Sequence, residues 1–217
     1  MPHPHKRQAA WWPAAGTAVL ACSLAASVLW QLTDGLSSFT SEAWRRAQVL
    51  RHPPLLPNVA LQSEQSQLLH LHALCSPAQG GAAAKVLVLD FVYTRCPTIC
   101  RTTGTASAQL ARRLADKGVQ AQVWSVSLDP GNDKPEALAQ FKQAMEVTPS
   151  DWHLARAPDA QDSAALLRSA AVVVIPDGQG GLIHNAALAV VDSSCHLTQL
   201  FDAQDIEHAE LAVRQLL

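Results

Sequence analysis

The sequence is poor in charged and aromatic residues and has no long run of acidic or basic residues. Charged residues make up 16% of its 217 residues, aromatic residues 5%, and the formal net charge is -2. This balance excludes a broadly cationic nucleic-acid surface, and a hydrophobic content of 48% excludes a disordered chain. The length suits one domain of ordinary size plus an anchor or tail, and excludes two large domains.

The N-terminal segment has no acidic residue before Asp34. Lys6 and Arg7 precede an apolar run over residues 9–30, a pattern typical of a single transmembrane helix whose N-terminus is cytoplasmic. A cleaved secretory signal fits the same pattern, and a lipid attached at Cys22 is a third alternative. In each case we expect the C-terminal domain to be exported, into the periplasm of a bacterium.

Changes in composition divide the chain into four parts. We expect a cytoplasmic N-terminus at residues 1–8, a transmembrane anchor or uncleaved signal at residues 9–30, a proline-containing linker at residues 31–57, and one folded domain at residues 58–217.

Strand and helix patterns alternate through the domain. The predicted strands cover residues 86–93, 123–128, 152–155, 171–175, 187–191 and 197–201, and the main predicted helices cover residues 106–117, 159–169 and 205–217. A further apolar stripe follows Asp133 and Glu136, which resemble a helix-capping box. Residues 68–74 alternate and predict a hairpin with residues 59–62. The order predicts a thioredoxin-like α/β fold: a central mixed sheet flanked by helices, with an N-terminal β-hairpin addition.

Two cysteines stand where the predicted strand over residues 86–93 gives way to a helix. Cys96 and Cys100 are four residues apart, so on a first helical turn their sulfurs face the same side. The helix N-terminus favours the thiolate, which is both a nucleophile and a soft metal ligand. Two thiolates suit Cu(I), and an added imidazole suits Cu(II). His184, just before a predicted core strand, is the best candidate for that imidazole.

The segment Phe91 to Cys100 resembles the copper motif of the Sco/SenC family. Residues 125–136 are similar to that family's segment after its second core strand, and His184 falls at its ligand histidine. Two positions depart from the pattern: Arg101 stands where many members have proline, and Ile183 where an acidic residue commonly precedes the histidine.

The resemblance implies one copper ion, Cu(I) or Cu(II), held by Cys96, Cys100 and His184. It also implies a metallochaperone that assists assembly of the CuA centre of cytochrome c oxidase, with the oxidase subunit carrying that centre and a copper donor protein as partners. The alternative is a membrane-anchored thiol-disulfide oxidoreductase, in which Cys96 and Cys100 form a redox-active pair that reduces the client's copper-ligand cysteines.

Other polar residues have simpler interpretations. Cys75 and Cys195 complete an even number of cysteines in an exported domain, and a structural disulfide between them is a hypothesis. We interpret His70 and His72 as an exposed strand face rather than a second metal site. Asp90, inside an apolar strand, needs a partner or a changed protonation state, and its role stays open.

Overall fold

We describe the protein from a computed structural model. It describes residues 12–33, 35, 40–75, 86–96, 99–145 and 148–217. The chain divides into two compact units between Ala47 and Gln48, and the linker and domain boundaries expected from composition stay predictions.

The predicted transmembrane helix over residues 9–30 is wrong. Trp12–Leu32 form helix α1, whose 21 residues are long enough for a membrane. Yet no helix within the described ranges combines that length with enough apolar character to cross one. Residues 9–11 of the prediction lie outside the described part of the chain.

The second unit is built around a seven-stranded mixed sheet. The strands are β1 Ala60–Ser63, β2 Leu68–His70, β3 Val86–Val92, β4 Ala121–Ser127, β5 Trp152–Arg156, β6 Val174–Pro176, β7 Leu182–His184, β8 Leu188–Val191 and β9 Leu197–Phe201. The sheet order is β2-β1-β5-β4-β3-β8-β9, and β6 and β7 form a separate hairpin. The helices after α1 are α2 Ser41–Arg51, α3 His72–Cys75, α4 Ile99–Asp116, α5 Pro135–Gln143, α6 Ala160–Ser169 and α7 Ile206–Gln215.

Strand β3 lies at the centre because its sequence is apolar almost throughout. All seven of its residues are buried, as expected of a strand covered on both faces. It pairs in parallel with β4 and antiparallel with β8. Its carboxyl end therefore delivers the chain to the edge of the core, directly before Cys96.

Helix α4 begins at Ile99 rather than near residue 106, so Cys100 lies on its first turn and Cys96 lies three residues before it. Leu110 and Leu114 are buried against the sheet. Gly104 lets α5 approach, since a Cβ atom there would meet the Phe141 ring at 3.2 Å. The helix ends at Asp116 and is followed by Gly118, whose positive φ of 66° favours glycine.

The predicted N-terminal hairpin is present, but its second strand is shorter than the alternating sequence pattern predicted. Ala60 pairs with His70 and Gln62 with Leu68. Strand β2 stops at His70, and the chain turns into the short helix α3. The alternation that predicted a strand to residue 74 therefore continues into a helical turn.

Cys75 at the end of α3 forms a disulfide with Cys195, which lies between β8 and β9, with 5.5 Å between their Cα atoms. Both residues are buried. The Leu56 amide also donates to the Cys195 carbonyl at 2.9 Å. The bond therefore links helix α3, which follows β2, to the turn between β8 and β9 across 120 residues.

Replacing both Cys75 and Cys195 with alanine should lower the free energy of unfolding by roughly 2–5 kcal/mol, because a long loop in the unfolded chain is released. Denaturant unfolding followed by fluorescence of the buried Trp152 measures the change. Cys22→Ser, which removes an exposed free cysteine, should leave the value unchanged. An equally stable double variant would contradict a stabilising bridge.

Candidate metal centre

The two motif cysteines lie at the junction of β3 and α4, where the backbone turns tightly. The Cys96 amide donates to the Tyr93 carbonyl at 3.2 Å. The Cys100 amide donates to the Cys96 sulfur, also at 3.2 Å. Both cysteines are free and buried. The Cys96 sulfur therefore accepts a backbone hydrogen bond at the N-terminus of α4.

His184 reaches this junction because Tyr93 fastens the β6–β7 hairpin to the end of β3. The Tyr93 hydroxyl donates to the Leu182 carbonyl and accepts from the Leu182 amide, each at 3.1 Å. His184, two residues later on β7, then places Nε2 3.6 Å from the Cys100 sulfur. Sequence reasoning expected His184 in a loop, but it lies on a strand.

The donor set fits a soft metal ion. A thiolate and an imidazole that share one tetrahedral first-row ion lie about 3.5 Å apart, close to the observed separation of Cys100 and His184. Nδ1 of His184 is buried and has no hydrogen-bond partner among the described residues. No group of three Cys, His, Asp or Glu side chains in the described ranges already forms a metal site. The structure therefore brings Cys100 and His184, two of the three predicted ligands, into contact. The sulfur of the third, Cys96, accepts a hydrogen bond from the Cys100 backbone amide.

Burial acts on the protonation of both contacting groups. It lowers the pKa of His184, which keeps the imidazole neutral and able to donate a lone pair. It also raises the pKa of the Cys100 thiol, and the neighbouring Cys96 adds to the rise. Metal binding at Cys100 would therefore displace a proton, as is general for thiol ligands.

Asp133 anchors the cysteine loop, the segment between β3 and α4 that carries Cys96. The sequence did not indicate this role. The expected capping box is absent, since Lys134 is the N-cap residue of α5 and makes no side-chain cap. Asp133 is fully buried instead. It accepts from the Thr94 amide at 3.2 Å, the Thr94 hydroxyl at 2.6 Å and the Ser127 hydroxyl at 2.6 Å. Its position two residues before helix α5 made capping the obvious interpretation.

Asp90 lies in the core on β3 and is fully buried. Neither of its carboxylate oxygens has a geometrically adequate hydrogen bond within the described residues. Burial raises the pKa of Asp90 to about 7, although the hydroxyls of Ser125 and Ser107 oppose the shift. The carboxyl is therefore mostly neutral in the folded protein below neutral pH.

His70 and His72 do not share a strand face. His70 is the last residue of β2 and is exposed. His72 begins α3, and its Nε2 lies 2.7 Å from the Leu56 carbonyl oxygen. The two histidines therefore have separate structural surroundings.

The mixed sheet, the dithiol at the end of its central strand and the adjacent histidine define a thioredoxin-like dithiol protein with a candidate soft-metal site. The family model for SCO1/SenC matches residues 78–216. The chain therefore belongs to the SCO1/SenC family.

Individual relatives agree with this assignment. The SCO1 protein homolog of Bacillus subtilis (strain 168) is 28% identical over 109 residues, covering 49% of this chain and 56% of that relative. The chain thus spans little more than half of that relative's length. The structure of BsSco, described as a Sco-family cytochrome c oxidase assembly protein with a disulfide switch, matches with a TM-score of 0.65 and 18% identity, covering 76% of this chain and 94% of that chain. Bradyrhizobium japonicum ScoI with copper bound matches with a TM-score of 0.62 and 18% identity, covering 75% and 99%.

Replacing Asp133 with alanine should cost roughly 2–4 kcal/mol of folding free energy, because the buried Ser127 hydroxyl and the Thr94 amide lose their acceptor. Urea unfolding measures the cost, and faster modification of Cys96 by a thiol reagent would show that the loop has loosened. The control is Asp129→Asn, which removes an ion pair to the 56%-exposed Arg95 side chain and should change stability by less than about 1 kcal/mol. Equal effects of the two substitutions would contradict an anchoring role for Asp133.

Asp90→Asn should stabilise the protein increasingly as the pH rises. The folded pKa of about 7 lies above the ordinary aspartate value of 3.8, so the wild type loses stability between these two pH values as the unfolded chain ionises first. The advantage of the variant should therefore grow by roughly 2–4 kcal/mol between pH 4 and pH 8 and level off above that range. Urea unfolding at several pH values measures it, with the exposed Asp116→Asn as control. A pH-independent difference would show that Asp90 ionises normally.

Proposed function

We propose that this protein is a copper metallochaperone that holds one copper ion on Cys96, Cys100 and His184 and delivers it to the CuA centre of cytochrome c oxidase. The observation that carries the proposal is the 3.6 Å contact between the Cys100 sulfur and His184 Nε2, beside a second free thiol.

The three side chains divide the work of holding the ion. Cys96 and Cys100 supply soft thiolates, which suit Cu(I). His184 supplies a neutral imidazole, which also suits Cu(II), so the cargo can be held in both oxidation states. The Tyr93 hydroxyl keeps the hairpin of His184 against the cysteine loop through Leu182. Asp133 keeps that loop in place through Thr94.

Delivery requires that one ligand be reachable by the receiving protein. The relative solvent exposure of Cys96 is 7%, whereas Cys100 is fully buried. An incoming thiolate therefore exchanges first with Cys96, and the ion leaves Cys100 and His184 afterwards. We propose a copper donor protein and the oxidase subunit carrying the CuA site as the two partners.

The comparisons support the proposed copper chaperone, since ScoI has copper bound and BsSco is described as an oxidase assembly protein. The disulfide between Cys75 and Cys195 fits an oxidising compartment such as the bacterial periplasm.

A thiol-disulfide oxidoreductase is the second candidate, and the hydrogen bond from the Cys100 amide to the Cys96 sulfur favours it. The Cys96 thiolate would attack a disulfide between the client's copper-ligand cysteines and release one client thiolate. Cys100 would then displace the other, leaving a Cys96–Cys100 disulfide and a reduced client.

Anaerobic titration of the reduced full chain with Cu(I) and Cu(II) tests the copper site. We expect one copper per chain and a thiolate-to-copper absorption band. Cys96→Ala should weaken Cu(I) binding at least about 100-fold, since even residues behind the ligands contribute about 10–100-fold. His184→Ala should weaken Cu(II) binding more than Cu(I) binding, because two thiolates suffice for Cu(I).

The matched control is His208→Ala. It removes an exposed histidine of α7 that is hydrogen-bonded to Asp205, and it should leave both titrations unchanged. Copper uptake that survives Cys96→Ala and His184→Ala would overturn the proposed site. Absent copper uptake with rapid reduction of a disulfide peptide would favour the oxidoreductase.

A further inference from the structure

A cleft of about 490 Å³ opens beside Cys96, between helices α4 and α5. The residues that define it include Cys96, Arg101, Ala137, Phe141, Ala144 and Met145. Cys96 lines the cleft, whereas Cys100 lies on the side of His184. Of the two thiols, Cys96 is therefore the one approached through this opening.

Helix α5 and the residues after it form one wall of the cleft. Two alanines, Ala137 on α5 and Ala144 directly after it, line this wall together with Gln140. Phe141 and Met145 are buried and supply its apolar floor. The volume is within the range of ligand pockets and suits a few side chains of an extended segment, since a helix is about 10–12 Å across.

Arg101 gives the cleft its charge. It is exposed, lies on the first turn of α4, and is the only charged residue among the described ones that line the cleft. No carboxylate of the described residues pairs with it. A guanidinium beside an apolar floor favours an occupant with an acidic side chain.

On the basis of the proposed function, we propose that this cleft is the docking site for an extended, acidic, cysteine-bearing segment of the partner protein. The sulfur of that segment contacts Cys96 first. Small side chains of α5 admit the segment, Arg101 pairs with its carboxylate, and Phe141 and Met145 receive its apolar side chains. The cleft thus selects the partner, while Cys100 and His184 retain the ion.

Thiol exchange with defined probes tests the proposal in the full chain, with Cys22→Ser in every variant to remove the exposed cysteine. The probes are a short peptide with one cysteine flanked by glutamates, the same peptide with lysines, and mercaptoethanol, each as a mixed disulfide with thionitrobenzoate. The Cys96 thiolate attacks the probe sulfur, a disulfide forms, and the coloured thionitrobenzoate thiolate leaves. Cys100 then displaces the probe thiolate and closes the Cys96–Cys100 disulfide. Release of thionitrobenzoate measures the rate of the first step.

We expect the glutamate peptide to react about tenfold faster than the lysine peptide at low salt, and Arg101→Gln to remove most of that difference. Ala144→Trp and Ala137→Trp should slow both peptides about tenfold by filling the cleft, while the mercaptoethanol probe changes less than about twofold. The control is Gln109→Trp, an exposed position on α4 that lines a different depression. It should leave all three rates unchanged.

Two results would overturn the docking site: peptide rates that both tryptophan variants leave unchanged, or a glutamate preference that survives Arg101→Gln. Copper titration of the same variants keeps this outcome distinct from failure of the proposed function. If the unsubstituted chain binds no copper, the chaperone function fails. If copper binding is intact and the peptide rates do not respond, only the cleft is excluded.

Discussion

Cys100 and His184 are 84 residues apart in the chain, and their side chains meet only because the β6–β7 hairpin lies against the end of the central strand of the seven-stranded sheet. Strand β3 delivers Cys100 to its carboxyl edge, and the β6–β7 hairpin returns to that edge. The Tyr93 hydroxyl keeps the two side chains together, because it is hydrogen-bonded to both the carbonyl and the amide of Leu182. Loss of this pair of bonds would free the hairpin, and the imidazole would no longer lie beside the sulfur.

Two buried aspartates near the site illustrate opposite solutions to the cost of burying a carboxylate. Asp133 accepts from three donors, from Thr94 and Ser127, so its oxygens are satisfied in the core. Asp90 lacks such donors among the described residues, and its pKa rises to about 7 because of burial. The first therefore contributes structure to the cysteine loop, whereas the second is a buried group whose charge depends on pH.

Much of the fold could be predicted because each core strand has a clear pattern. The apolar run of β3 and the alternation in the first hairpin both predicted strands that the structure contains. The strand predicted over residues 171–175 overlaps β6, but β7 was missed because it is only three residues long and its Ile183 is exposed. The apolar pattern of α1 predicted a membrane span, whereas no helix of the described residues is long and apolar enough to cross a membrane.

The candidate site could be predicted only in its reactive groups. Cysteine and histidine have a chemistry that a motif reveals, so Cys96, Cys100 and His184 could be selected without coordinates. The supporting residues have no such chemistry, because a tyrosine, a threonine and an aspartate become supports only through long-range contacts. Asp133 was interpreted as a helix cap for this reason, although its partners lie 6 and 39 residues away.

In the proposed function, the arrangement would separate retention of an ion from its release. Cys100 is fully buried and contacts His184, while Cys96 lies at the rim and borders an open cleft. Both positions that depart from the family pattern lie next to proposed ligands: Arg101 follows Cys100 and Ile183 precedes His184, and both are exposed. Substitutions at these exposed neighbours would leave the proposed ligands unchanged but alter the surface around them. Selection among the proposed partners could therefore vary within this fold without a change in the chemistry of the three proposed ligands.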